Sequence, residues 1–484
     1  MHGIEAPAPP RTSGDRRRWA ALAFISTAQL MIALDATIVN IALPTAQRSL
    51  HIAAADRQWA ITAYTLAFGG LLLISGRIAD LFGRRRTFVA ALAGFAAASA
   101  LGGAATGLGT LILARALQGA FGAVLAPTTL SLLAVTFTES RERAKAFAIY
   151  GAIAGSGGAL GLILGGVLAE DLSWRWCLYV NVPIAVVAAV GAYRTIAAAP
   201  SPHRPRLDVP GALLVTAGLV AIVYGCGRAA THGWTAPTVL GPLLGGLVLL
   251  AAFALVQIRS SAALLPPRIL RSRDRVGAYA AVALAVAGMY GLFIFLTFYL
   301  QTVLRYPPVT TGLAFLPMSA AVLVGSGAIA ARLLPRVPPR LLITPGLLLA
   351  TAGMLLLTGL TPDGGYATRV LPAEIMLGLG MGCVFTPAFS VATQAVAPRD
   401  AGIASAVVTT SQQVGGSIGT ALLNTVAASA TAGYLAAHAS APVADGLVHG
   451  FATAAAYGAG MFATGAVLAA VLITARPVQK ESTS

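Results

Sequence analysis

Charge is what this chain has least of. Only 10% of its 484 residues are Asp, Glu, Lys or Arg, while 57% are hydrophobic; an average soluble domain carries about a quarter charged residues. A water-soluble fold of this length needs far more polar surface, so that class is excluded. Lysine is nearly missing, Lys145 and Lys480 being the two among 32 basic residues. Arginine offers nothing at a lipid surface that lysine would lack, so the bias points to a GC-rich genome rather than to a chemistry. The three cysteines, Cys177, Cys226 and Cys383, stand singly in apolar stretches, which excludes a disulfide framework and metal-ligand spacing and leaves them to packing. No extended polar segment clusters Asp, Glu, His or Lys, and no nucleotide-binding run is present. The first absence counts against a membrane-embedded enzyme acting on lipid, and the second excludes a nucleotide-driven pump in cis. The six histidines are expected in tails and loops, so none is placed as a proton carrier at mid-membrane. No metal or cofactor is expected.

What the chain does have is long apolar segments. Spans of about 20 apolar residues suffice to cross a bilayer, and the sequence predicts fourteen, near 19–43, 58–77, 87–106, 109–137, 144–168, 176–196, 209–228, 237–257, 276–303, 311–332, 340–360, 371–396, 401–429 and 450–475. The first is longer than a signal core, lacks a cleavage site and is followed by many more, so it is not read as a cleaved signal. The net charge of +16 could suggest nucleic acid, but the charges sit in short loops, where topology explains them. With both termini in the cytoplasm, the outer loops hold Arg48, Arg57, Arg175, Arg228, Arg305 and Arg369, and Arg115 lies inside a span. The other 25 of the 32 basic residues then fall on the cytoplasmic side, as the positive-inside rule requires. The expected class is an all-α, multi-pass protein of the cell membrane with cytoplasmic tails at 1–18 and 477–484.

An internal repeat divides the spans. An offset of 258 places Arg141-Glu142 on Arg399-Asp400, and Gly157, Gly158 and Gly161 on Gly415, Gly416 and Gly419. Spans 1–6 then pair with 9–14. The expected organisation is a six-helix bundle over 19–206, an inserted hairpin at 207–258, a basic amphipathic linker at 259–275 lying on the inner leaflet, and a second six-helix bundle over 276–476. Transporters are commonly built from such repeats, with the site at their interface.

Few ionisable residues are placed inside spans. Asp35 lies about 25 Å along the first span from its inner end and Arg115 about 9 Å along the fourth from its outer end, at about 1.5 Å per residue. They share a depth in the outer part of the bilayer, where each must face the interior or a water-filled cavity, near the other. A static ion pair locking spans 1 and 4 is the plain alternative to a proton-coupling site. Glu374 occupies, within a residue, the place in the second half that Arg115 has in the first; its alternative is a side chain that snorkels to the interface. Between spans 2 and 3, Gly76-Arg-Ile-Ala-Asp80-Leu-Phe-Gly83-Arg84-Arg85-Arg86 combines a close-packing glycine, an acid at the membrane's mouth, a turn glycine and a basic cluster. A positive-inside loop alone would explain the arginines and leave the Gly-Asp-Gly spacing to chance.

This loop resembles the one between helices 2 and 3 of the major facilitator superfamily. Further motifs narrow the likeness to its fourteen-span drug:proton antiporters. Leu34-Asp35-Ala-Thr-Ile-Val-Asn40-Ile-Ala-Leu-Pro44 resembles their first-helix signature, and Arg115-Ala-Leu-Gln118-Gly119 the fourth-helix motif, whose arginine is associated with proton coupling. Gly157-Gly158-Ala-Leu-Gly161-Leu162-Ile-Leu-Gly165-Gly166 resembles the fifth-helix antiporter motif, and Trp174-Arg175-Trp176 through Asn181-Val182-Pro183 the start of helix 6. Two positions depart from the pattern: Leu162 stands where the family usually has proline, and Leu81 where a basic residue often follows the loop aspartate. The resemblance implies two six-helix bundles plus two inserted helices, proton coupling through Arg115, and a cytoplasmic gate at Gly76–Arg86; Asp35 and Glu374 join Arg115 as proton-coupling candidates by their placement inside spans.

For the substrate, span 13 shows Thr409, Gln413, Ser417, Thr420 and Asn424 at helical spacing, a polar stripe of about 22 Å. Span 9 is aromatic, with Tyr290 and Phe293 foremost. Both sets have plain alternatives as interhelical hydrogen bonding and bundle packing. Asn40, Gln118, Tyr290, Phe293, Gln413 and Ser417 are the candidates for lining a cavity. The expected function is proton-driven export of a lipophilic small molecule by alternating access, acting as a monomer in the lipid bilayer with protons and substrate as partners and no nucleic acid. An importer or facilitator on the same fold is the nearest alternative.

Overall fold

A computed structural model describes residues 13–53, 56–57, 59–137, 139–196, 208–260, 263–393 and 401–475. Positions 1–12, 197–207 and 476–484, and the Arg399-Asp400 member of the repeat, lie outside the described residues. Apolar segments offer their backbone no water, so each N–H and C=O is paired within its own segment, and the described chain is built from helices. The first six are α1 (Ser13–Ser49), α2 (Trp59–Phe82), α3 (Arg84–Gly103), α4 (Leu108–Thr136), α5 (Ser140–Val167) and α6 (Trp176–Thr195). Next come α7 (Val209–His232) and α8 (Pro237–Arg259). The last six are α9 (Arg273–Val303), α10 (Pro308–Leu333), α11 (Arg340–Leu357), α12 (Tyr366–Ala392), α13 (Ala401–Ala437) and α14 (Val443–Leu472). Among the described residues, 11 helices are long and apolar enough to cross a membrane.

The same pairing recurs in both groups of six. In the first, α1 packs on α5 and α6, α4 on α2 and α3, and α3 on α6; in the second, α9 packs on α13 and α14, α12 on α10 and α11, and α11 on α14. Two seams join the groups, α2 with α13 and α5 with α10. The helices α7 and α8 pack on each other, and α7 lies against α13 and α2. A core cluster bridges the groups with Ile38, Ile41 and Leu178 on one side and Phe295, Tyr299 and Phe315 on the other. A second cluster, with Leu22, Phe88, Phe95 and Phe137, belongs to the first group alone. The bridging residues of the first group lie toward the end of the bundle remote from Ser13 and Leu472, here the distal end.

Three features were not legible in the apolar pattern. Helix α10 breaks at Phe315, ahead of Pro317, which has no N–H for the helical ladder, and widens again over Val324–Ala330. His449, expected in a loop, falls inside α14, exposed and stacked on Tyr434 at 4.9 Å. In the 259–275 linker, Leu264 and Ile269 turn into the protein and are 2% and 1% exposed. Gln257 of α8 holds this strap, donating to Asp208 at 2.7 Å and accepting from the Leu265 N–H at 2.9 Å.

Candidate functional site

Asp35 and Arg115 meet. The Arg115 guanidinium donates to Asp35 Oδ2 at 2.7 Å, with the two side chains 2% and 0% exposed. Residues three apart share a helix face, and Gln118, one turn past Arg115 on α4, joins the pair: its Oε1 accepts from Arg115 at 2.9 Å and its Nε2 donates to Asp35 Oδ1 at 3.0 Å. Ser99 of α3 accepts from Gln118 Nε2 at 2.7 Å, and Asn181 of α6 donates to Asp35 Oδ1 at 2.8 Å. Arg115 Nε donates to the Ala60 carbonyl of α2 at 3.0 Å, and its guanidinium lies 4.4 Å from the Tyr64 ring centroid. One carboxylate thus ties α1, α4 and α6, with α2 and α3 held through its neighbours. A buried ion pair contributes little net stability, because desolvation offsets the Coulombic attraction, yet leaving one member unpaired costs about 3–5 kcal/mol. Intact, the network clamps five helices.

The clamp needs α1 and α5 in close contact. Gly157, Gly161 and Gly165 face Ala33, Leu34 with Thr37, and Ile38 of α1, and a Cβ on Gly161 would lie 2.1 Å from Thr37 Oγ1 and 2.9 Å from the Leu34 carbonyl. Gly161→Val should therefore force the helix bearing Asp35 away from α5. The expected result is a markedly lower unfolding temperature and less folded protein in the membrane, whereas Gly158→Ala, whose Cβ would meet Thr37 only at 3.8 Å, should match wild type; thermal unfolding of purified protein in detergent checks both.

Gly166 faces the other way, across the α5–α10 seam, where its Cβ would meet Val309 Cα at 2.7 Å. The α2–α13 seam is polar. Ser417 and Thr65 share a hydrogen bond of 2.6 Å, Gln413 packs on Gly69, and Arg57 donates to Asn424 at 3.0 Å while its guanidinium lies 4.1 Å from the Phe298 ring centroid. Tyr290 is half-buried and within electrostatic range of Arg115, whereas Phe293 packs on Phe315, ring centroids 5.2 Å apart. Asn40 is buried, its amide 3.5 Å from the Ala36 carbonyl. Glu374 does not join Asp35; it is fully buried rather than snorkelling, and meets the Tyr366 hydroxyl at 3.0 Å.

A family model described as the Major Facilitator Superfamily matches residues 25–420. The chain belongs to the major facilitator superfamily. Similar members include the puromycin resistance protein pur8 of Streptomyces alboniger, 53% identical over 473 residues (97% of this chain, 94% of that one), and the cephamycin export protein CmcT of Amycolatopsis lactamdurans, 40% identical over 426 residues (87% and 88%). Among solved structures, the POT family transporter PepTSo matches with a TM-score of 0.68 at 16% identity, covering 95% of this chain and 98% of that one. That likeness is one of fold alone.

In this facilitator the loop from α2 to α3 turns on Gly83, whose φ of 86° is in the region that favours glycine. Arg85 lies over the Tyr193 ring at 4.2 Å, Arg84 is half-buried and Arg86 is exposed. The side chain of Asp80 and the surroundings of Gly76 lie outside what the structure describes. Sequence reasoning does not single out Tyr64 or Ser99, places Arg57 only among the outer-loop arginines, and reads Asn181 only as part of a motif. Neutral polar residues are common in helices, and only the packing shows which of them face a charge.

Proposed function

We propose that this facilitator exports a lipophilic antibiotic-like molecule in exchange for protons across the cytoplasmic membrane, by alternating access of α1–α6 against α9–α14. The observation that carries this reading is the sealed Asp35–Arg115 pair, a charge network placed where a membrane protein keeps ionisable groups for function. The direction of transport rests on the resistance and export proteins it resembles over most of its length. In this reading α2, α5 and α13 complete fourteen spans, α7 and α8 are an inserted hairpin, both termini are cytoplasmic and the monomer is the working unit. The two seams close the distal side in this state. A proton reaching Asp35 weakens its hold on Arg115, Gln118 and Asn181, and the first bundle relaxes toward the opposite state. Asn40, Gln118, Tyr290, Phe293, Gln413 and Ser417 line or border the substrate's route. Everted vesicles with an acid interior should accumulate puromycin and lose it on addition of a protonophore; uptake driven only in the opposite sense would mean import on the same fold.

The loop Gly76 to Arg86 is proposed as the cytoplasmic gate, with Asp80, Gly83 and the three arginines making contacts in one state only. Asp80→Asn should shift the conformational equilibrium by the energy of that contact, about 1–3 kcal/mol. Turnover should fall while substrate affinity changes only by the population shift. A cysteine on the cytoplasmic side of the cavity should also react faster with a thiol reagent. Unchanged labelling with normal transport would reduce the loop to a topological anchor.

A further inference from the structure

Glu374 is a buried carboxyl that the Asp35 network does not use. It is fully buried, Oε1 has no hydrogen-bond partner, and no basic side chain reaches it among the described residues. Its one contact is the Tyr366 hydroxyl, 3.0 Å from Oε2. That hydroxyl also lies 2.6 Å from the carbonyl of Ala314, next to the break in α10. A hydroxyl has one proton. The Ala314 carbonyl can only accept, and it holds the shorter bond, so Tyr366 donates to Ala314. The contact between Tyr366 and Glu374 is then a hydrogen bond only if the carboxyl is the donor. An ionised Glu374 would instead be a buried charge without a cation, competing with a carbonyl for a single proton, an arrangement strongly disfavoured away from water.

The chain of donors ends on the helix that closes a seam. Two residues before Ala314, Gly312 is so close to α5 that a Cβ would lie 2.4 Å from the Leu162 carbonyl, and at the start of α10 the Val309 N–H donates to Glu170 Oε2 at 3.0 Å. We propose that Glu374 is a neutral acid in the distally closed state and a positioning residue: it donates to Tyr366, Tyr366 donates to Ala314, and the chain holds α10 against α5. This gives Glu374 a role apart from proton coupling through Asp35, although its transport consequences rest on the export reading above.

Three variants test it. Glu374→Gln keeps a donor toward Tyr366 and should export within about twofold of wild type, whereas Glu374→Leu and Tyr366→Phe break the chain and should export roughly tenfold less, as expected when a buried hydrogen bond is lost. Labelling of a Val309→Cys reporter by an external thiol reagent should rise in the Leu and Phe variants and stay at wild-type level with Gln. Infrared difference spectra of wild type against Glu374→Gln should show the carbonyl stretch of a neutral carboxylic acid at neutral pH. Absence of that band, or loss of export in a well-folded Glu374→Gln, overturns the proposal. If wild type fails to export puromycin at all, the export reading falls, while the infrared band and the labelling still decide the role of Glu374.

Discussion

Asp35→Asn should reduce pH-gradient-driven export to background while the protein still reaches the membrane in near wild-type amount. The amide nearly keeps the shape of the carboxylate and can still accept from Gln118 or Asn181, but it cannot take or release a proton. It also leaves Arg115 without its counter-charge. The guanidinium keeps the Ala60 carbonyl, Gln118 Oε1 and the Tyr64 face, which soften the loss of the anion, so the helices should still assemble. Export of puromycin by everted vesicles, normalised to immunoblotted protein, checks the outcome. Retained export at the wild-type rate under a pH gradient would rule out Asp35 as the coupling group and return the pair to a static clamp.

Arg115→Ala should do more damage. It removes the only cation that reaches Asp35 among the described residues and empties the space between α2 and α4, leaving a carboxylate held by two amides in a dry interior. Removing one member of a buried pair typically costs about 3–5 kcal/mol. Thermal unfolding in detergent should therefore occur well below wild type, and whatever transport survives should show a displaced pH profile. Adding Asp35→Asn to Arg115→Ala should recover part of the lost stability, since the double variant no longer buries an unpaired charge. Additive losses in the two single variants and the double would mean that the two residues do not share one energetic unit.

Much of this was legible in the sequence because membrane helices have simple rules. Apolar runs located the helices, basic residues suggested their orientation, and the depth of Asp35 and Arg115 placed them side by side before any packing was known. Gly161 entered only through the repeat and the fifth-helix motif, because small residues are common in membrane helices and do not say which neighbour they approach. What could not be read depends on which neutral groups face one another. Asn181 and Ser99 look like any other polar residue in a helix, and only the packing of α3 on α4 and of α6 on α1 brings them to Gln118 and Asp35. Glu374 matched Arg115 by the repeat, yet the repeat fixes a backbone position and not a partner. Its own neighbour, Tyr366, lies two turns away in sequence, on the widened turn that opens α12. The break in α10 sits just ahead of Pro317, and its consequence, a carbonyl open to Tyr366, emerges only in three dimensions.

The central claim is that drug and proton move in opposite directions through Asp35. Its most direct test is proton movement driven by drug alone: vesicles bearing the protein and an internal pH dye, with the same pH on both sides, to which puromycin is added outside and the response of protein-free vesicles subtracted. The account predicts prompt alkalinisation of the interior with wild type, scaling with the puromycin taken up, and none with Asp35→Asn. Puromycin uptake by wild type with no change of internal pH, or equal alkalinisation with Asp35→Asn, would contradict it.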